Sequence, residues 1–427
     1  MRKERVLAVA VLMLARQVSA QPPRRLTLAE AEQIALRTHP RIGAAALNAQ
    51  AAKTVVKEAR SALYPFIAGN VTSVGAEHNS TLSAGTIQTS SLYSRIAAGV
   101  TISQLITDFG RTSSLIESAK LRAAAQEQTA GNVKATTLLR VNEAYFEAFA
   151  ADSVLKVAQG VVENRRLTLR QVRALAQSSL KSTLDVSFAE VAASDAELGL
   201  YRAENDSQAA RARLAGAMGV SGWEPFELVD EGLPAPIPPD LDQVIADALK
   251  QRPDLQALQL TRDAAQHFAQ AERSLNRPTV AAMAVAGGLP ATDPRLHEIY
   301  NAAGINVAVP ILNGRLFSAR QTEAELRAQA AQKDVEDLKV TVSEQVRVAW
   351  LEANTAFRKL DVSARLVEQA EQSLRLAQIR YDNGLGSIVE LNQAQLNQVS
   401  AEITAASAKY EYLSRRAELS FAAGALQ

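Results

Sequence analysis

Along residues 346–381 small and apolar side chains return in alternating steps of three and four: Val346, Ala349, Ala353, Ala356, Leu360, Ser363, Val367, Ala370, Leu374, Ala377 and Tyr381. That period is the seam of a coiled coil. Subtracting 205 from each number gives Val141, Ala144, Ala148, Ala151, Leu155, Ala158, Val162, Arg165, Leu169, Val172 and Ala176, where only Arg165 breaks the apolar run. Every second seam position from Ala349 to Ala377 is small. Helix axes approach as closely as the contacting side chains allow, so this pattern predicts tightly packed antiparallel helices.

The shared period belongs to a wider self-similarity. Ala35-Leu-Arg-Thr-His-Pro-Arg-Ile42 matches Ala248-Leu-Lys-Gln-Arg-Pro-Asp-Leu255 at an offset of 213, and Ala97-Ala-Gly99 matches Ala302-Ala-Gly304 at 205. The chain reads as a duplication: a first repeat over 21–220, a Pro-rich connector over 221–240, and a second repeat over 241–427. Prolines remove backbone donors and disfavour helix, and five fall within 225–240. Each repeat runs short helix, second helix, β-hairpin, long helix, return helix. The hairpins are expected at about 64–106 and 278–311. Residues 315–383 would form a helix of roughly 100 Å, which a return helix over 387–422 (about 55 Å) and a pre-strand helix over 254–276 (about 35 Å) nearly match end to end.

In the 92–103 segment Leu92, Ile96, Ala98, Val100 and Ile102 alternate with Arg95, Ala97, Gly99, Thr101 and Ser103. Ile305, Val307 and Val309 alternate likewise with Gly304, Asn306 and Ala308. Period two with one apolar and one polar face marks a barrel wall between lipid and water, or any half-buried strand. The partner segments, 66–75 and 279–288, alternate less clearly. Four strands of about ten residues can cross a bilayer when tilted, but the smallest closed barrel has about eight. Several chains must therefore share one wall, because open sheet edges cannot stand in hydrocarbon.

Composition narrows the picture. Aromatic residues are only 5% of the 427, so Ala, Leu and Val carry most apolar surface, which suits narrow helix contacts. Residues 1–20 combine Arg2, Lys3 and Arg5, a short apolar run and Val18-Ser-Ala20, the pattern of a secretory signal. Taking its four basic residues and one acidic residue from 46 and 45 leaves 42 and 44, a formal charge of −2. No nucleic-acid field follows from that balance. There is no cysteine, hence neither a disulfide framework nor a lipid-modified N-terminal cysteine. Beyond residue 20 no run approaches eighteen apolar residues, so a membrane location requires strands. Histidines 39, 78, 267 and 297 are scattered, with no acidic partner at ligand spacing. No phosphate-binding loop or nucleophile elbow is present. The expectation is no enzyme chemistry and no cofactor.

Leu26-Thr-Leu-Ala-Glu-Ala31, the strand exits Asp108-Phe-Gly-Arg111 and Pro310-Ile-Leu-Asn-Gly-Arg315, and Tyr381-Asp-Asn-Gly384 followed by Val389-Glu-Leu391 occur in an order that resembles the TolC family of outer-membrane efflux ducts. The resemblance covers the whole chain after the signal. It implies a mainly α fold with a small β part: long coiled-coil hairpins and four transmembrane strands per chain. In a homotrimer these would form a twelve-stranded barrel in outer-membrane lipid and an α-helical barrel in the periplasm. The implied partners are a periplasmic membrane fusion adaptor and an inner-membrane transporter, with no nucleic acid. Two rival readings are a periplasmic adaptor, which would show one hairpin between β-rich domains, and a structural coiled-coil rod.

Two places interrupt the long helices in the same way, Ser179 to Ser182 and Gly384 to Ser387. Gly384 would end one helix and Ser387 start the next. The resemblance makes them hairpin tips at a periplasmic entrance, with Ser179, Lys181, Ser182, Gly384, Gly386 and Ser387 at the turns that dock an adaptor. It also sets Asp185 and Glu390 where aperture aspartates lie, Gln393 in place of a further aspartate, and Tyr381 at a tyrosine that helps hold the entrance shut. Ser179 stands where a glycine is usual, and Leu312-Asn-Gly314 where many members carry two. The residues themselves leave a simpler role open. Asp185 and Glu390 each follow a serine by three, the spacing of a capping box.

Overall fold

The computed structural model describes residues 24–75, 81–84, 87–91, 95–221, 226–230, 232–234, 237–292 and 297–426. The signal segment 1–20 and Leu92 of the expected alternation lie outside them.

The first described elements are strand β1 (Arg24–Leu26) and helices α1 (Leu28–Thr38) and α2 (Pro40–Ser61). Strands β2 (Phe66–Val74), β3 (Thr81–Ala84), β4 (Ile87–Ser91) and β5 (Arg95–Thr107) follow, then helices α3 (Arg111–Gln177) and α4 (Thr183–Ala217). After β6 (Phe226–Leu228) the order recurs: α5 (Leu241–Gln251), α6 (Pro253–Arg273), β7 (Thr279–Thr292), β8 (Ile299–Ala308), α7 (Leu316–Asp382) and α8 (Ile388–Ala422). The long helices both have 67 residues and the return helices both have 35. At 1.5 Å per residue the long ones span about 100 Å.

The short helices start where their sequences supply caps. Thr27 accepts from the Glu30 amide while the Glu30 carboxylate accepts from the Thr27 amide, a complete capping box on α1. At the α1–α2 and α5–α6 junctions His39 and Arg252 adopt extended geometry ahead of Pro40 and Pro253. The proline ring disfavours helical geometry in its predecessor yet suits the first position of the next helix.

Helix α3 is the axis of the packing. It contacts α2 and α6 along one half and α4 and α8 along the other, while α7 packs on α5, α6 and α8. Each seam position is buried or half-buried in both long helices. Val346 and Ala353 are fully enclosed, as are Val141 and Ala148. Arg165 is buried too, 7% exposed, and donates to Asn392 Oδ1 at 3.2 Å. Burial lowers its pKa, since desolvation penalises the charged form. The exception in the seam is thus a polar tie from α3 to α8.

The bulkiest part of the core lies midway along the helices. Tyr145 and Phe146 pack with Leu214, Phe226, Tyr410 and Leu413. The Tyr145 hydroxyl donates to the Val229 carbonyl at 2.7 Å and lies 2.9 Å from that of Leu26. Those carbonyls flank β1 and β6, which pair in parallel from Arg24–Phe226 to Leu26–Leu228. A segment read from sequence as connector therefore holds a strand of three residues. So short a strand shows no alternation, and its partner is about 200 residues away.

The main sheet is antiparallel in the order β2-β5-β7-β8, with β3 and β4 a separate small hairpin that the sequence reading did not include. Its register sorts most apolar side chains onto one face, with Asn301 an exception there and Phe66 and Met283 exceptions on the other. Ile67, Ile102 and Ala284 share a row on one face, and Val71, Ala98, Gly288 and Ile299 another. The opposite face carries the row Asn70, Gly99, Gly287 and Tyr300, and Asn70 Nδ2 donates to Thr101 Oγ1 at 3.1 Å. A Cβ at Gly99 or Gly287 would overlap the Tyr300 hydroxyl, so the ring lies across two strands where only glycine leaves room. Val71 (79% exposed), Ile305 (70%) and Ile67 (63%) leave the first face apolar and bare. Strand β8 ends at Ala308 rather than continuing to 311, just before Pro310, which has no amide to donate. Among the described residues no helix is long and apolar enough to cross a membrane.

Candidate functional site at the hairpin tips

The two tips share one backbone. After α3, Leu180 N donates to Leu175 O (2.9 Å) and Ser179 N to Ala176 O (3.0 Å). After α7, Leu385 N donates to Arg380 O (2.8 Å) and Gly384 N to Tyr381 O (3.1 Å). Both turns place one residue in the left-handed region, Ser179 at φ 56° and Gly384 at φ 70°. Glycine takes that conformation freely, whereas a serine there bears strain of about 1–2 kcal/mol. Ser182 and Ser387 then cap the return helices from matching extended geometry.

The side chains differ. At the first tip Ser182 Oγ accepts from the Asp185 amide, and the Asp185 carboxylate accepts from Ser182 N at 3.0 Å and from its hydroxyl at 2.9 Å, completing a capping box. At the second tip only half of the box forms. Ser387 Oγ accepts from the Glu390 amide at 3.2 Å, but the Glu390 carboxylate turns to Arg380 Nε at 2.9 Å. Arg380 also donates to Leu385 O at 3.2 Å. That pair crosses directly over Gly386, where a Cβ would lie 3.1 Å from Arg380 Cβ and 3.2 Å from Glu390 Oε2. The first tip has Leu175 where the second has Arg380, so Asp185 has no matching cation to turn to. Gln393 stands apart, exposed on α8 with its amide donating to Asn397.

One residue from each tip joins the two. Lys181 Nζ donates to the Tyr381 carbonyl at 3.1 Å and sits 3.6 Å from the centroid of its ring, in cation–π range. Tyr381 is 4% exposed, packed with Ala377, Ile388, Leu391 and Ala394. Its hydroxyl is buried without a hydrogen-bond partner among the described residues. Burial first, then the charges of Asp185 and Asp382, push the phenol above the ordinary tyrosine pKa. Lys181 and Tyr381 therefore meet, with the Asp185 charge near enough to act on the phenol, whereas Glu390 pairs with Arg380 and Gln393 with Asn397. Arg380 carries no sequence signal for this role; only the pairing of α7 with α8 brings it opposite a residue ten positions on. Among the described residues no cluster of His, Asp and Glu could hold a metal ion.

Relatives exist at the level of family, sequence and fold. The family model described as outer membrane efflux protein matches residues 32–220 and 244–425. The chain is 26% identical over 371 residues to the antibiotic efflux pump outer membrane protein ArpC of Pseudomonas putida, across 84% of this chain and 74% of that one. It is 23% identical over 415 residues to outer membrane protein TolC of Escherichia coli, across 93% and 82%. The crystal structure of the Campylobacter jejuni CmeC outer membrane channel superposes with a TM-score of 0.82 at 16% identity, covering 93% of this chain and 85% of that one. At that identity the likeness is one of fold.

Proposed function

Since the chain belongs to the outer membrane efflux protein family, we propose that it is the outer-membrane duct of a tripartite efflux or type I secretion system. It conducts substrate passively from a periplasmic adaptor and an inner-membrane pump to the exterior. The observation that carries this reading is the sheet, whose one face is mostly apolar and bare and whose edges β2 and β8 have no partner among the described residues. A face of that kind suits lipid, and edges of that kind require closure.

Three copies would supply twelve strands to one barrel and continue below as a periplasmic barrel of helices. The tips would then gather at the entrance. In this arrangement the Lys181–Tyr381 contact holds the two tips of each chain together and keeps the aperture narrow. Asp185 and Glu390 line it, with Gln393 one turn further along α8. Because Glu390 is paired with Arg380, Asp185 is the larger source of negative field at the pore. The turn residues Ser179, Lys181, Ser182, Gly384, Gly386 and Ser387 form the end that meets the adaptor.

Purification in detergent and reconstitution into planar bilayers test this reading. A trimer that opens small, cation-preferring channels is expected, with the preference reduced in the Asp185→Asn, Glu390→Gln double variant. A stable monomer that conducts no ions would overturn it.

A further inference from the structure

The internal duplication supplies something the single chain does not display, the register in which one copy meets the next. Strand β7 lies 213 residues after β2, and β8 lies 205 after β5. These offsets reproduce the pairing inside each half. Phe66 opposite Ser103 maps onto Thr279 opposite Ala308, and Val74 opposite Arg95 maps onto Gly287 opposite Tyr300; all four pairs are present. The second half therefore repeats the hairpin register of the first, residue for residue.

Between the halves β5 pairs with β7, from Gly99 opposite Gly287 to Leu105 opposite Ala281. In a closed ring of copies the equivalent junction is β8 of one chain against β2 of the next. Carrying β5 forward by 205 and β7 back by 213 gives its register. We propose that Asn306 stands opposite Thr72 of the next copy, Val307 opposite Val71, and Ala308 opposite Asn70. This inference rests on the duct reading and specifies its interface.

Two features of the chain agree with the assignment. Val307 and Val71, 56% and 79% exposed in the single chain, fall in one row of the apolar face, while Asn306 and Thr72 fall together on the polar face. A slip of one residue would set Val307 and Val71 on opposite faces. The assignment also brings Pro310 opposite Ala68, near the end of β2, so the residue without an amide falls where the ladder runs out.

A chain without cysteine makes the register measurable. Partners in an antiparallel pair lie about 4.5–5.5 Å apart between Cα atoms, within reach of a disulfide. A slip of two residues, which preserves the faces, separates them by about 8 Å. Within one chain β2 and β8 are three strand spacings apart, about 14 Å, so only links between copies can form. The full-length protein in detergent would carry Asn306→Cys with Thr72→Cys, or Ala308→Cys with Asn70→Cys. Controls carry Asn306→Cys with Asn70→Cys or with Val74→Cys, and each single cysteine. On oxidation with copper phenanthroline, both in-register pairs should give covalent dimers and trimers at least five-fold more than the shifted pairs. Stronger linking by a shifted pair, or none by either in-register pair in a protein of trimeric mass, would overturn the register while leaving the duct intact. A wild-type chain that is monomeric and conducts no ions would remove both.

Discussion

The two hairpin tips have one backbone and two chemistries. Their turn hydrogen bonds match and their caps adopt the same geometry, φ −88° and ψ 159° at Ser182 against φ −91° and ψ 159° at Ser387. Equivalent positions that shape the two tips carry different residues, among them Leu175 and Arg380, Ala176 and Tyr381, Ser179 and Gly384, Lys181 and Gly386, Asp185 and Glu390. The first tip is closed locally by a complete capping box and projects a lysine. The second is closed by an ion pair over a glycine and presents an aromatic ring to that lysine. A duplicated turn thus became a matched donor and receptor. The backbone is shared because its hydrogen bonds are indifferent to side chains, and one pair of differing positions, Lys181 and Tyr381, is where the two turns touch.

Removing the receptor should have the largest effect. Tyr381→Ala is expected to cost about 3 kcal/mol in thermal unfolding of the tip region and to raise single-channel conductance. Tyr381→Phe sharpens the point, because it deletes a buried hydroxyl that has no partner among the described residues. That variant should be more stable than the parent by about 1 kcal/mol, with the conductance unchanged.

The donor comes next. Lys181→Met keeps the apolar stem but loses the bond to the Tyr381 carbonyl and the cation–π contact, a cost of about 1–2 kcal/mol. Conductance should rise here as well; a stability loss with no change in conductance would make the contact a brace and not a closure.

The caps should separate the tips by a smaller margin. Ser182→Ala breaks a box that is closed in both directions and should cost about 1 kcal/mol, and Ser387→Ala less, since its box is half formed. Equal losses in denaturant titrations would erase the distinction drawn between them.

The smallest effect is a gain. Ser179→Gly relieves a left-handed serine and should stabilise the first tip by about 0.5–1 kcal/mol after the greater freedom of glycine in the unfolded chain is counted. Gly384→Ser should cost a similar amount at the second tip.

Much of this architecture is legible in order along the chain. The seam from Val346 to Tyr381 sits inside the packing, and its first-half counterpart does the same. The proline junctions after His39 and Arg252 fall between helices, because proline acts on its immediate neighbour. What was not legible depends on residues far apart in sequence. The β1–β6 pair joins segments about 200 residues apart and each is too short for a period to show. At the tips the serine-to-carboxylate spacing suggests two equal capping boxes, yet Glu390 leaves its own for Arg380. The spacing is local, whereas the competing partner is set by how α7 lies on α8.

By itself the sequence determined the periodic features: two copies of one plan, the helix seams, the alternating strands and the turns between them. Each follows from interactions among residues a few positions apart, where chain geometry leaves little choice. The tertiary structure alone decided that Arg165 meets Asn392, that Lys181 of one tip covers Tyr381 of the other, and that β5 and β7 pair at the centre of the sheet. Those are meetings between elements, and no local period carries their distances.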